Sequence, residues 1–232
     1  MTVAAVILAA SPTSALADAD GTPVVRRLAD AAWAGGATPV VICSFDPDGT
    51  VGAALANTQA TLVEPVATEL GPVGQIAAGC DAAVALIAET DAALVWPARL
   101  AWVDAETVTT LIAAHGEDRV AVLRPAFGGE PGFPALLPMT HLAAFRALAP
   151  DRMPGELFLD LAAAGVPVRS IETGDPGVTH DVSVARAALP QYDGPPGPAD
   201  AHAHEWGAAA ADEPDDAPVP GSARLDLRIP AG

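Results

Sequence analysis

Lysine is absent from all 232 residues, and the eleven basic side chains are arginines. A planar guanidinium does not replace a compact ammonium, so chemistry that depends on a lysine is excluded. Cations of any kind are scarce beside 29 acidic residues, and the formal net charge is −18. That charge excludes nucleic acid as a partner, because its phosphates would be repelled. Free nucleotides are disfavoured too, unless a metal ion or a local arginine cluster offsets the field. Aromatic residues make up only 4% of the chain against 51% hydrophobic residues, so the core must be built from Ala, Val and Leu. Cys43 and Cys80 are the only cysteines and have no C-x-x-C spacing, which points to reduced packing thiols rather than a disulfide or metal site. No run reaches the roughly 20 apolar residues of a membrane span. A Walker motif, a G-x-G-x-x-G after a strand and a G-x-S-x-G elbow are all missing.

What is present is an alternation of short apolar runs and longer amphipathic segments. Strands are predicted over 3–9, 39–43, 60–63, 92–96, 120–124, 135–138 and 168–172. Helices are predicted over 23–34, 49–57, 73–88, 105–114, 140–148 and 155–164, the fourth capped by Asp104. Continuous apolar strands alternating with helices imply an α/β fold, a Rossmann-like, mostly parallel sheet covered by helices on both faces. Residues 3–10 followed by Ala15-Leu16-Ala17 superficially resemble a secretory leader. The first arginine is Arg26, however, so the basic n-region of a leader is missing and a buried first strand in a cytoplasmic protein is expected. The competing reading is a secreted acidic domain cleaved to start at Asp18.

After Tyr192 the composition changes. Residues 193–232 hold seven prolines, eight acids and two arginines, and they read as a flexible tail on a domain spanning 1–192. The acids 212–216 read as a solubilising run, and His202, His204 and Glu205 form a small metal-type cluster without preorganisation. Leu225, Leu227 and Ile229 alternate with Asp226 and Arg228, as in a strand. This segment, 223–230, either adds an edge strand to its own domain or docks on a protein partner.

Four places along the chain carry a family resemblance. Val6-Ile7-Leu8-Ala9-Ala10-Ser11 is followed by Gly21-Thr22-Pro23-Val24-Val25. Glu64-Pro65 precedes Gly71-Pro72-Val73-Gly74-Gln75-Ile76-Ala77-Ala78-Gly79. Ala93-Leu94-Val95-Trp96-Pro97-Ala98-Arg99 forms the third. Gly132-Phe133-Pro134-Ala135-Leu136-Leu137-Pro138 and the late Gly177-Val178-Thr179-His180-Asp181-Val182-Ser183 complete the set. Together they resemble the MobA-like NTP transferases, which attach a nucleotide to molybdenum cofactor, a sugar phosphate or a similar acceptor. The resemblance implies a fold of the nucleotide-diphospho-sugar transferase type. It also implies a nucleotide such as CTP or GTP bound near Leu8, Ala9, Ala10, Ser11, Gly71, Pro72, Gly74 and Arg99, with Mg²⁺ if the protein is active.

The departures from the family pattern agree with one another. Ser11 stands where a glycine belongs, and the loop to Asp20 has no glycine, arginine or lysine but two aspartates. Arg99 occupies the position of the Mg²⁺-binding aspartate, and a guanidinium offers no acceptor to a metal. Phe133 replaces a histidine and Ser183 a second late aspartate, which leaves Asp181 as the candidate catalytic and metal residue. The expected reading is a catalytically impaired member, a pseudoenzyme serving as a binding or scaffold protein. The alternative is a divergent, active Mg²⁺-dependent nucleotidyltransferase in which Arg26 or Arg27 supplies the missing charge and Asp18, Asp20 or Asp181 holds the metal. His180 beside Asp181 is expected to point to the opposite face of an extended segment.

Overall fold

In the computed structural model, residues 1–9, 11–192 and 194 are described. The sheet has eight strands: β1 (Thr2–Leu8), β2 (Val40–Cys43), β3 (Ala60–Val63), β4 (Thr90–Pro97), β5 (Val122–Phe127), β6 (Glu130–Pro131), β7 (Ala135–Pro138) and β8 (Val168–Glu172). Their order is β3-β2-β1-β4-β7-β5-β6, with β8 paired to β5. Pairs β3–β2, β2–β1, β1–β4 and β5–β8 are parallel, while β7 and β6 pair antiparallel with their neighbours. The apolar run of β1 is buried on both faces, which is why it shows no alternation in sequence.

The helices are α1 (Pro12–Ala15), α2 (Val24–Ala34), α3 (Thr50–Ala54), α4 (Gly71–Leu86), α5 (Ala105–Glu117), α6 (Leu142–Arg146) and α7 (Pro154–Ala163). Helices α2 and α5 pack together, as do α4, α6 and α7. The chain runs β1-α2-β2 toward one edge and then crosses back from β3 through α4 to β4 on the other side of β1. Right-handed crossovers in opposite directions place α2 and α4 on opposite faces. Their reversal also makes the ends of β1 and β4 the topological switch point, where open α/β sheets leave a crevice for ligands.

With few aromatics, close approach of backbones fills the core. Gly79 on α4 faces Val6 and Cys43, and an added Cβ would overlap Val6. Gly35, after α2, sits equally close to Val108 of α5. Arg124 is a buried cation on β5, only 8% exposed. It donates to the carbonyls of Pro131 and Gly132 and stacks on Phe133 and Phe158, which fixes the turn before β7. Among the described residues, no helix is long and apolar enough to cross a membrane.

The elements correspond closely to those expected. The helix predicted over 73–88 begins and ends two residues earlier, with Cys80 in its middle. The 140–148 segment is broken into a 3₁₀ turn and the short α6. The short α1 and the two-residue β6 were not expected. The tail cluster at 202–205, the acidic run at 212–216 and the segment 223–230 lie outside the described residues, as does nearly all of the tail predicted over 193–232.

Candidate functional site

The switch-point crevice is built from the segments that follow β1 and β4. Leu8 ends β1, and its carbonyl accepts from Ala98 N–H at 2.9 Å, which ties the two segments together. Ala9 is buried, with its N–H on the Cys43 carbonyl at 3.0 Å. Ala10 lies outside the described residues. Ser11 caps α1: its Oγ accepts from Ser14 N–H at 3.1 Å, while Ser14 Oγ accepts from Ser11 N–H at 3.0 Å. This reciprocal box makes the loop a closed unit.

The rest of the loop is turned inward in the same way. Ala15 N–H reaches Ser11 O, Leu16 N–H reaches Pro12 O, and Ala19 N–H reaches Thr22 O. Gly21 N–H donates to Asp18 Oδ1 at 3.0 Å. Six backbone donors between Ser11 and Gly21 are therefore already satisfied, and the loop's charges are the carboxylates Asp18 and Asp20. The arginines nearest in sequence are engaged as well. Arg26 bonds Asp30 and the Ala56 carbonyl. Arg27 donates to the Ala101 carbonyl at 2.8 Å and lies 5.1 Å from the Trp102 ring centroid. A shallow groove of about 350 Å³ beside Arg27 is lined by Thr22, Asp30, Val103 and Asp104.

Arg99 and Asp181, far apart in sequence, meet in the crevice. Arg99 Nη1 lies 3.5 Å from Asp181 Oδ2, and the side chains are 59% and 37% exposed. Asp181 Oδ1 accepts from Ser183 N–H at 2.9 Å, and Val182 N–H donates to the Arg99 carbonyl at 2.7 Å. Residues 179–184 form a turn rather than the extended segment expected from sequence. His180 Nδ1 is 2.7 Å from the Pro176 carbonyl. A carbonyl can only accept, so Nδ1 is the donor in this contact. Nε2 has no hydrogen-bond partner among the described residues.

Trp96 and Trp102 are packing residues. Trp96 is fully buried, with Nε1 on the Leu100 carbonyl, and Trp102 donates to the Val184 carbonyl, holding the late turn against the crevice. On the other side of the crevice, α4 starts at Gly71 and Pro72 with no side-chain cap. An added Cβ at Gly71 would overlap the Pro150 carbonyl, and one at Gly74 would overlap Leu70. Both glycines thus have a packing reason. Gln75 clamps the preceding loop through two bonds with the Val66 backbone, at 3.1 and 2.8 Å.

The donor set does not fit Mg²⁺. Asp181 is already paired with a guanidinium, and the loop carboxylates Asp18 and Asp20 do not converge with it into a three-ligand group, where the ion wants several oxygens in near-octahedral geometry. Among the described residues, no group of three His, Cys, Asp or Glu side chains is placed to hold a metal. Sequence reading found Arg99 and Asp181 separately. Their pairing was missed, because nothing local signals a contact across 82 positions.

Comparison with known proteins agrees with the fold. No curated protein matches the chain. The 2-C-methyl-D-erythritol 4-phosphate cytidylyltransferase of Thermus thermophilus superposes with a TM-score of 0.59 at 19% identity, covering 81% of this chain and 98% of that one. Rv0371c of Mycobacterium tuberculosis H37Rv, solved with manganese, gives 0.57 at 18% identity, covering 74% and 88%. A CMP:2-keto-3-deoxy-manno-octonic acid synthetase complexed with CTP gives 0.55 at 16% identity, covering 74% and 90%. These likenesses show a nucleotidyltransferase-like fold. The family model described as MobA-like NTP transferase domain matches residues 6–164, from β1 through α7, and the chain belongs to that family.

Proposed function

We propose that this protein is a member of its family that has given up metal-dependent nucleotidyl transfer and works by binding. The observation that carries this reading is the closed loop after β1. Six of its backbone N–H groups, those of Ser11, Ser14, Ala15, Leu16, Ala19 and Gly21, are engaged within the loop or on Thr22. Opening it for a triphosphate would break the Ser11–Ser14 box and bring phosphate charge toward Asp18 and Asp20. Each such charge pair costs about 3 kcal/mol at roughly 5 Å and an effective dielectric near 20. No lysine exists to offset it, and Arg26 and Arg27 are engaged elsewhere.

The alternative, an active Mg²⁺-dependent transferase acting on a cofactor or phosphorylated small molecule, has one observation in its favour. The uncapped start of α4 offers partial positive charge at the same end of the sheet. CTP or GTP would be its nucleotide, as for the neighbour complexed with CTP. Under the binding reading, a protein partner engaged through 223–230 is the natural complement.

Calorimetric titration with CTP, GTP and ATP in Mg²⁺, together with a pyrophosphate-release assay across candidate acceptors, tests the proposal. The expected result is no pyrophosphate release. Release at ordinary turnover with any acceptor would overturn it and restore the transferase.

A further inference from the structure

We infer that Arg99 is a resident cation standing where a divalent metal would otherwise bind, and that the β1–β4 crevice is a metal-free site for a phosphomonoester, with Asp181 as the internal ligand that the phosphate displaces. The inference rests on the binding reading above and names the chemistry of its ligand.

Arg99 follows β4 directly at the switch point, and the Ala98 N–H bond to Leu8 places it beside the end of β1. A ligand entering an open α/β sheet at its usual crevice meets this side chain.

The pairing is weak in the way a displaceable contact must be. Its 3.5 Å separation exceeds the roughly 2.7–2.9 Å of a strong charge-assisted bond. Both partners are more than a third exposed, and such pairs contribute about 0–1 kcal/mol. Among the described residues, the Arg99 guanidinium bonds Asp181 through Nη1 alone, so most of its donors are available. A phosphomonoester dianion presents three oxygens and can take two parallel N–H bonds from the fork, where Asp181 takes one long bond.

The same arrangement sets the size of the ligand. A nucleoside triphosphate needs counter-charge for about four negative charges, and the neighbouring loop supplies two aspartates instead. A single terminal phosphate carries about two negative charges, of which Arg99 offsets one. Because the cation is covalently part of the chain, binding calls for no Mg²⁺, and a divalent ion beside the guanidinium would be repelled. Nucleoside monophosphates and sugar phosphates share this terminal group, and separate probes tell them apart.

The experiment is calorimetry on the full chain in EDTA with CMP, GMP, ribose 5-phosphate and inorganic phosphate as probes. Wild type, Arg99→Ala, Asp181→Asn and Arg99→Asp are compared. The Asp181→Asn side chain keeps an acceptor for Ser183 N–H, and each of these exposed changes is checked for an unchanged melting temperature. The expected result is binding of at least one probe in EDTA, within about twofold of its affinity in Mg²⁺. Arg99→Ala weakens it at least about tenfold, and Asp181→Asn tightens it about three- to fivefold by removing the competitor. Arg99→Asp loses the phosphate and gains Mn²⁺ binding, read directly by titration with the metal alone, because it creates a second carboxylate beside Asp181. Preference for CMP or GMP names a nucleoside source, and equal binding of ribose 5-phosphate names the phosphate itself.

The inference is overturned if no probe binds in EDTA, if Arg99→Ala binds as wild type does, or if Asp181→Asn fails to tighten binding. These failures leave the binding reading intact. Pyrophosphate release, by contrast, would sink that reading whatever the variants do.

Discussion

Thr107 Oγ donates to Asp175 Oδ2 at 2.7 Å across 68 positions, and that bond locks the late turn onto the start of α5. Asp175 also accepts from Asp104 N–H at 2.9 Å and Gly177 N–H at 2.8 Å. It is only 2% exposed, and burial pushes its carboxyl above the usual carboxylate range against the pull of those three donors. The segment that it anchors carries His180 and Asp181, so this buried carboxylate positions one side of the crevice.

Asp175→Ala leaves three donors without an acceptor, and each unsatisfied buried group costs about 1–3 kcal/mol. Relief of the buried charge offsets part of that, for a net loss of roughly 2–4 kcal/mol in urea unfolding. Thr107→Val keeps the shape, removes one donor and should cost about 1 kcal/mol. The pH sign follows from the raised carboxyl. The folded state holds the proton more tightly than the unfolded chain, so Asp175 ionisation costs stability as pH rises through the folded value. Asp175→Ala should therefore flatten that part of the stability profile. An unchanged profile would mean that the carboxyl is not desolvated as its burial implies.

His115 supplies the opposite sign. It is 1% exposed on α5, and neither ring nitrogen has a hydrogen-bond partner among the described residues. Burial lowers its pKa, and Arg119 reinforces this, while Asp91 and Asp118 oppose it. The folded state thus binds the proton less readily than the unfolded chain. Its stability is fully present above the unfolded value near 6.5 and is lost as pH falls from there through the depressed folded value. Wild type should melt lower at about pH 5 than at about pH 7.5, and His115→Leu should reduce that difference. A difference of the same size in the leucine variant would assign the acid sensitivity to other groups.

The strands and helices were legible because each rests on a local rule. β2 and the stretches 3–8 of β1 and 92–97 of β4 are unbroken apolar runs, and α5 begins where Asp104 can accept from Glu106 N–H. What sequence could not supply was the meeting of Arg99 with Asp181, or of Thr107 with Asp175. Those contacts depend on how β4, α5 and the turn after β8 stack, and no residue's neighbours in sequence encode it. The closed loop after β1 lies between these extremes. Its missing glycine and lysine were visible, but Ser11 and Ser14 as a reciprocal cap were not, because a four-residue helix has no periodicity to detect.

Cys43 and Cys80 lie on β2 and α4, close to Gly79 at the heart of the domain. Burial pushes each thiol up to about 12, far from the thiolate form that reacts. Native protein at about pH 8 should leave both unmodified by a thiol-disulfide reagent over the minutes in which unfolded protein reacts fully. Rapid native labelling of one cysteine would reveal an opening of β2 away from α4, beside the crevice.

Gly71 decides between two reasons for a glycine at the start of α4. If it were there only to let a ligand approach, alanine would fold normally and bind less. The backbone instead has φ +58°, and an added Cβ would meet the Pro150 carbonyl. With ψ at −164° this backbone is essentially open to glycine alone, so another residue costs about 1–3 kcal/mol, and the overlap adds roughly 1–3 kcal/mol. Gly71→Ala should therefore unfold at least about 2 kcal/mol more easily, with a melting temperature lower by about 4–8 °C for a domain of this size. Gly155 on α7 is the control, since nothing lies within 4 Å of its added Cβ and its backbone is helical. Gly155→Ala should gain about 0.5–1 kcal/mol. If Gly71→Ala kept full stability while phosphate affinity fell, the packing explanation would fail, and the start of α4 would belong to the binding site.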